Sequence, residues 1–210
     1  QALRKKSINP TQEKKGVKPL FFFQNFSLSI LKMELQQKTK TDTNGLIPPY
    51  GGELKNLIIK DKNLKNDLIS KATYEFECSE RNACDVELLM VGAFSPLEGF
   101  MDENNYNSVI KNNRNIDGLL FGLPIVFDSN NEKVKAGETI LLTYKKQKIA
   151  VLEVSSKWEP DKSLEAELCY GTNSLDHPAV KMIFNERGRF YIGGRAVSYT
   201  HLTLPTTWLV

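Results

Sequence analysis

The 210-residue chain lacks the features that mark membrane and nucleic-acid-binding proteins. No apolar run approaches the roughly 20 residues that a membrane-spanning helix requires. The longest such run, Leu20–Phe23, stops at Gln24, and no convincing small-residue cleavage site for a signal peptide follows it. The net charge of +3, from 28 basic and 25 acidic residues, is too small to indicate a nucleic-acid surface. We therefore expect a protein that binds neither membranes nor nucleic acid.

Cysteine and histidine are scarce, which bears on disulfides, metal sites and catalysis. The three cysteines, Cys78, Cys84 and Cys169, form no C-x-x-C pair, and an odd number suits neither a disulfide framework nor a zinc site. We expect three reduced, partly buried thiols in a cytoplasmic protein. Of the two histidines, His177 precedes a proline, which is typical of a capping or packing residue, and His201 lies in a C-terminal run interpreted below as non-native.

Motifs that bind nucleotides or metals are also absent from the sequence. It contains no G-x-x-x-x-G-K-[ST] phosphate loop, no G-x-G-x-x-G turn and no H-E-x-x-H pair. The carboxylate pairs Glu75/Glu77 and Glu165/Glu167 fit the exposed faces of ordinary elements. The pattern of residues therefore predicts no catalytic, cofactor-binding or metal-binding residue.

Both ends of the chain are interpreted separately from its middle. Residues 1–32 precede the first methionine, are rich in lysine and show no sustained period. A reading frame extended upstream of the true start is preferred over a targeting arm. At the other end, Val197–Thr206 resembles the translation of a transposase adapter used to prepare sequencing libraries, although a short strand would also fit. We predict that residues 196–210 are not native and that the natural domain covers residues 33–195.

Helical periodicity and capping residues predict several short helices. They lie at residues 62–72, from Glu80 to Val91, after Asp102, between Pro160 and Gly171, and after Pro178. For the second of these, Ser79 is the predicted N-cap and Gly92 marks the end. Its predicted buried stripe consists of Cys84, Leu88 and Val91.

The middle of the chain is predicted to be β-structure. Strands are expected at Tyr74–Cys78, Leu123–Asp128, Thr139–Tyr144, Ile149–Val154 and Arg189–Ile192, the last closed by Gly193 and Gly194. Short turns between the middle three favour a small curled sheet or partial barrel. Lys145 and Lys146 at a hairpin tip fit solvated turn charges better than a phosphate site. Because strands and helices do not alternate regularly, the predicted fold class is α+β.

Four stretches of the chain resemble the N-terminal part of the ATP sulfurylases (sulfate adenylyltransferases) in order and spacing. They are Leu46–Leu54, Cys84–Met101, Tyr170–Thr172, and Asp176–Pro178 with Gly193–Gly194. The second is the most specific, because a Gly-x-Phe-Ser-Pro-Leu-x-Gly-Phe-Met loop after an acidic and apolar helix is hard to obtain by chance. Tyr50, where the family commonly has histidine, is a departure that does not disturb the assignment.

The resemblance implies a PUA-like partial β-barrel with flanking short helices over residues 33–195. In the family an α/β nucleotide-binding domain follows, and sulfate attacks the α-phosphorus of MgATP to give adenosine 5′-phosphosulfate and pyrophosphate. MgATP is the implied cofactor, sulfate and ATP are the implied partners, and the full-length enzyme is expected to be a homo-oligomer. The family's Gln-Thr-Arg-Asn-Pro-x-His-x-x-His segment has no counterpart here, so no catalytic residue is carried over and the chain alone is expected to be inactive.

Two alternatives and one structural hypothesis accompany this interpretation. A PUA-like fold also serves as an RNA-binding module, although no basic stripe interleaved with aromatics supports that here. A kinase for the product fused downstream is a further possibility for the parent enzyme. The predicted apolar plug of the loop contains Phe94, Pro96, Leu97, Phe100 and Met101. We hypothesise that this loop braces an interface with the second domain.

Overall fold

The computed structural model describes residues 47–198, which contain five helices and six strands. The helices are α1 (Lys62–Ser70), α2 (Glu80–Met90), α3 (Glu103–Asn112), α4 (Lys162–Tyr170) and α5 (Pro178–Asn185). The strands are β1 (Tyr74–Glu77), β2 (Gly99–Phe100), β3 (Phe127–Ser129), β4 (Thr139–Tyr144), β5 (Gln147–Trp158) and β6 (Phe190–Ser198). Across residues 47–198, none of the helices combines the length and the apolar character that crossing a membrane demands.

The predicted helices are confirmed, and their starts are held by capping side chains. Asp61, Ser79, Asp102 and Asp161 each accept a hydrogen bond from a backbone N–H in the first turn of the helix that follows. Each such cap stabilises a helix by about 1 kcal/mol. The fifth helix instead begins with Pro178, whose missing N–H costs nothing at this position.

The six strands form one curled sheet in the order β1-β4-β5-β6-β2, and β3 also pairs with β6. Only β1 and β4 run parallel among these pairs in the described chain. The register of β5 shifts between Val154 and Ser156, and β5 extends beyond β4 along β6. A bulge of this kind bends a strand and increases its twist. The α+β class with a partial barrel is therefore confirmed.

Two strand predictions were wrong in detail. The predicted strand 123–128 contains regular pairing only from Phe127, and β3 lies beside β6. Pro124 has no N–H for a ladder, and the carbonyl of Ile125 accepts instead from the N–H of Met101 at 2.8 Å. The last strand does not stop at Gly193 but continues to Ser198.

The ends assigned to non-native sequence fall largely outside the described residues. Residues 1–32 and 199–210 lie outside them, so the interpretation of both segments stays a prediction. Ala196 and Val197 are buried in β6 and pair with Leu152 and Val151 of β5. The first residues of segment 196–210 therefore complete a strand of the sheet.

The core occupies both faces of the sheet. The larger cluster lies between α2 and the sheet, and its largest fully buried side chains include Leu89, Met90, Ile140, Leu142 and Ile149. A second cluster surrounds α3, whose buried face is formed by Tyr106, Val109 and Ile110. On the opposite face of the sheet, Leu141 and Val151 pack against α1.

The predicted buried stripe of α2 was wrong. Leu88 and Val91 are 39% and 40% exposed, whereas the helix buries Ala83, Val86 and Leu89. Both stripes have helical spacing, because α2 carries apolar residues on more than one face. Contact with the sheet selects between them, and periodicity alone contains no information on that choice.

Candidate functional site

The loop that carries the family resemblance, residues 92–102, is fixed by hydrogen bonds at its start. Gly92 follows α2 with a φ of +79°, a conformation that favours glycine. The hydroxyl of Ser95 donates to the Gly92 carbonyl at 2.6 Å and accepts from the N–H of Lys55 at 3.0 Å. Ser95 is buried, and the peptide bond to Pro96 is cis. These bonds hold the loop against the segment that precedes α1.

Glycines let the end of the loop approach β6 closely. A Cβ at Gly99 would lie 2.0 Å from the carbonyl oxygen of Gly194, and one at Gly193 would lie 2.2 Å from that of Met101. A Cβ at Gly194 would lie 2.0 Å from the carbonyl oxygen of Glu153 on β5. The Gly-Gly pair therefore serves close packing of three backbones and does not mark the end of the strand.

The apolar side chains of the loop form the predicted plug. Phe100 and Met101 are 3% and 2% exposed, and the ring of Phe100 lies 5.6 Å from that of Phe127. Phe94 and Leu97 are half-buried against the larger core cluster. The loop thus acts as packing material in this domain, and its proposed role at an interface stays a prediction.

A buried ionic cluster lies where the sequence predicted none. Glu165 was interpreted as part of an exposed carboxylate pair, but it is 1% exposed, whereas Glu167 is exposed. Its Oε1 accepts from Nη1 of Arg187 at 2.8 Å. Its Oε2 accepts from the hydroxyls of Tyr106 at 3.0 Å and Tyr191 at 2.9 Å. The cluster therefore joins α3, α4 and β6 through a single carboxylate.

The surroundings of Tyr106, Tyr191 and Arg187 suit these side chains to a structural role and not to proton transfer. Burial, together with the charge of Glu165, raises the pKa of Tyr106 above its ordinary value. Burial also raises the pKa of Tyr191, although the neighbouring Arg187 opposes it. Burial would lower the pKa of Arg187, but Tyr191 and Glu165 outweigh that effect and raise it. Both tyrosines remain neutral donors and Arg187 remains charged, so none of the three is suited to general base catalysis near neutral pH.

A second set of ion pairs connects α2 to β3. Arg81 forms ion pairs with Asp85 at 3.1 Å and with Asp128, and Asp128 also accepts from the N–H of Gly188 at 2.6 Å. Burial raises the pKa of Asp85, and the charge of Arg81 opposes that shift. An adjacent cavity of about 520 Å³ is lined by Ser79, Glu80, Arg81, Cys84, Asp128 and Glu186. Because Arg81, Asp85 and Asp128 pair with one another, this ionic set stabilises the packing of α2 against β3.

The three cysteines and His177 occupy packing positions. Burial raises the pKa of Cys78 to about 12 and that of Cys169 to about 11, so neither is a ready thiolate. Cys84 is partly buried, and burial raises its pKa as well. His177 precedes α5 and its ring lies 5.2 Å from that of Tyr170. Within residues 47–198, no group of three or more His, Cys, Asp and Glu side chains could hold a metal ion.

The sequence pattern contained no usable sign of the Glu165 cluster. Leu164 and Leu168 marked the helix, but both are exposed, at 40% and 42%. Ala166 and Cys169 on the inward side of α4 are short and weakly apolar. The four groups of the cluster come from three separate parts of the chain, around Tyr106, Glu165 and Arg187–Tyr191, so only the folded structure brings them together.

These features define a small α+β domain with an open, curled sheet, and known proteins share it. The profile of the PUA-like domain family matches residues 47–200. The chain belongs to the PUA-like domain family.

Proteins similar to this chain include sulfate adenylyltransferases of fungi. That of Neurospora crassa is 41% identical over 157 residues, covering 70% of this chain and 27% of the relative. That of Phaeosphaeria nodorum is 39% identical over 164 residues, covering 74% and 29%. The resemblance found in the sequence is thereby confirmed. The chain spans less than a third of the length of these relatives.

A solved structure also matches the fold. The hexameric APS kinase from Thiobacillus denitrificans superposes with a TM-score of 0.57 and 26% sequence identity. The match covers 77% of this chain and 28% of that protein. As with the fungal relatives, the shared region is a minor part of a longer polypeptide.

Proposed function

We propose that this chain is the N-terminal PUA-like domain of a sulfate adenylyltransferase. The identity of 41% over 157 residues with the Neurospora crassa enzyme carries the proposal. In the parent enzyme a sulfate oxygen attacks the α-phosphorus of MgATP, and the bond from that phosphorus to the departing pyrophosphate breaks. The products are adenosine 5′-phosphosulfate and pyrophosphate.

Within the parent enzyme this domain has a supporting role. The described residues do not fit MgATP: they contain no phosphate loop, Lys145 and Lys146 are exposed at the hairpin tip, and the buried carboxylates are already paired. Catalysis of phosphoryl transfer needs several positioned charges around the phosphates. We therefore propose that ATP and sulfate bind in the remainder of the parent polypeptide and that the 210-residue chain alone has no turnover.

A chimera tests this proposal directly. In it, residues 47–198 of this chain replace the matched region of the Neurospora crassa enzyme, and sulfate-dependent release of pyrophosphate is measured. Activity within tenfold of the intact relative is expected, and loss of all activity in a folded chimera would contradict the assignment. The 210-residue chain assayed alone should release none.

Sequencing the source DNA across the codon for Arg195 is a second test, because a frame that continues into a Gln-x-Arg-Asn-Pro-x-His-x-x-His segment is expected.

Further properties of the parent enzyme belong to the same proposal. The three cysteines are free, which supports a cytoplasmic enzyme with reduced thiols. The similar protein from Thiobacillus denitrificans is described as hexameric, and we propose that the parent enzyme is also a homo-oligomer. Sedimentation of the full-length protein and fractionation of the source cells would check these two points.

The RNA-binding alternative has little support from the surface. Arg189 pairs with Glu132 and Glu159, and Arg195 lies near Glu98 and Glu153. Paired surface cations attract phosphates weakly, because the neighbouring carboxylates cancel their field. A filter-binding titration of RNA at low and high salt should give no saturable, salt-dependent complex.

A further inference from the structure

Helix α2 exposes an apolar stripe beside the loop 92–102. Leu88 and Val91 are three residues apart on one face and are 39% and 40% exposed. Leu54 is 57% exposed, and its Cδ1 lies 2.8 Å from the point that a Cβ at Gly92 would occupy. These three side chains, Leu54, Leu88 and Val91, are called the α2 patch. Leu88 and Val91 belong to the stripe that the sequence predicted to be buried.

The α2 patch lies close to the end of β6. The N–H of Ser198 donates to the Leu57 carbonyl at 3.0 Å, and the N–H of Leu57 donates to the Met90 carbonyl at 3.1 Å. Met90 is the last residue of α2. Since hydrogen-bonded backbones lie about 4.8 Å apart, the end of β6 is on the order of 10 Å from the end of α2. Polypeptide that follows β6 in a longer protein therefore emerges beside the patch.

The surroundings of the patch have the composition of a protein interface. The ammonium group of Lys55 lies 3.0 Å from both Glu53 and Glu98, whose side chains are 73% and 51% exposed. An apolar centre with a charged rim is the usual anatomy of a contact between protein surfaces. More than two thirds of the Neurospora crassa relative lies outside the matched region, which supplies ample polypeptide to cover the patch.

An equally exposed pair of leucines elsewhere provides a comparison. Leu164 and Leu168 on α4 are 40% and 42% exposed. Helix α4 is bonded through Glu165 to Tyr191, near the start of β6. At about 3.3 Å per residue, that point is on the order of 20 Å from Ser198 along the strand. The two pairs, Leu88/Val91 and Leu164/Leu168, are equally exposed. They differ in their distance from the end of β6, where the following polypeptide begins.

We infer that the α2 patch is the surface on which the polypeptide following β6 docks in the parent sulfate adenylyltransferase. This inference rests on the proposed function. The patch takes an apolar face of the remaining polypeptide, and the charged rim around Lys55 surrounds that contact.

Hydrogen exchange in the chimera tests the inference without relying on activity. Amides of residues 86–92 are expected to exchange at least tenfold more slowly in the chimera than in the 210-residue chain. The double variant Leu88→Gln/Val91→Gln should abolish that slowing. The matched control, Leu164→Gln/Leu168→Gln, should retain it. The two variants should shift the urea midpoint of the 210-residue chain by similar amounts, because all four side chains are between 39% and 42% exposed.

Each other outcome overturns the inference. Equal exchange of residues 86–92 in the chimera and in the 210-residue chain would show that nothing docks there. Loss of the slowing in the α4 control alone would place the docking surface on α4. A dimer of the 210-residue chain that the α2 variant dissociates would make a second copy the occupant. Pyrophosphate release by the unmutated chimera reports separately on the proposed function.

Discussion

Oε1 of Glu165 lies 2.8 Å from Nη1 of Arg187, and these side chains are only 1% and 8% exposed. Two tyrosine hydroxyls complete the shell of the carboxylate. A buried ion pair adds little stability over an apolar alternative, but removal of one partner leaves an uncompensated charge in the interior. The position of α4 and of the turn before β6 therefore depends on the contacts of the Glu165 side chain.

Replacement of Glu165 by glutamine should destabilise the domain strongly. The amide cannot balance the guanidinium of Arg187, so a loss of about 3 kcal/mol in the free energy of unfolding is expected. Urea denaturation of the 210-residue chain at neutral pH measures it. Glu167→Gln on the exposed side of the same helix is the control, and it should change stability by less than about 0.5 kcal/mol. Similar losses in both variants would contradict a special role for the buried carboxylate.

The contrast between Glu165 and Glu167 shows how far the sequence can predict this fold. The Ser79 cap was predicted correctly, because a cap depends on residues close together in the chain. The buried face of α4 was not, because its leucines point to water while its glutamate points inward. That inversion is stable only because Arg187 is brought to Glu165 by the fold.

The same reasoning applies to the strands. The hairpin of β4 and β5 was predicted because two apolar runs flank a short turn. The partner of β3 was not, since pairing with β6 joins residues about sixty positions apart. A Gly-Gly pair such as Gly193 and Gly194 is typical of a strand end. In the structure the pair lies inside β6, because the carbonyl oxygens of Met101 and Glu153 approach these two residues too closely for a side chain.

Gly194→Ala should therefore be far more damaging than an alanine at an open glycine. The new Cβ would lie 2.0 Å from the carbonyl oxygen of Glu153, and the backbone on either side must move. A loss of about 3 kcal/mol or more in the free energy of unfolding is expected. Gly122→Ala is the control, because nothing lies within 4 Å of its Cβ position. It should be neutral or stabilising by up to about 1 kcal/mol, and a comparable loss at Gly122 would refute the close-packing argument.

The interface hypothesis for the loop 92–102 predicts a context-dependent effect of Phe94→Ala. Phe94 is half-buried against the core, so the variant should lose stability in the 210-residue chain. If the loop also braces a second domain, the thermal midpoint of the chimera should fall further than that of the isolated chain. Differential scanning calorimetry of both proteins makes the comparison. Equal shifts would leave the loop with a purely local packing role.

The three thiols should differ in their reactivity with iodoacetamide. The thiolate is the nucleophile, and a pKa of about 12 for Cys78 and about 11 for Cys169 leaves little thiolate at pH 8. Cys84 is less buried than Cys78, so it should be modified first and Cys78 last. Mass spectrometry of a time course at pH 8 determines the order. In guanidinium chloride the modification rates of the three thiols should converge. Rapid modification of Cys78 in the native protein would contradict the prediction, because it would show that this thiol is accessible.

Asp85 predicts a distinct pH dependence of stability. Burial raises its pKa above the ordinary value of 3.8, so between that value and the folded pKa the native state binds more protons than the unfolded chain. Stability conferred by this group is therefore present at low pH and falls as pH rises through the window above 3.8. Asp85→Asn removes the titration, so its stability relative to the parent chain should increase from pH 3.5 to pH 7. Urea denaturation at both pH values measures the change. If the stability of Asp85→Asn relative to the unmutated chain fell as pH rose, the prediction would be wrong. Attraction to Arg81 would then outweigh burial, and the pKa of Asp85 would be lowered in the folded domain.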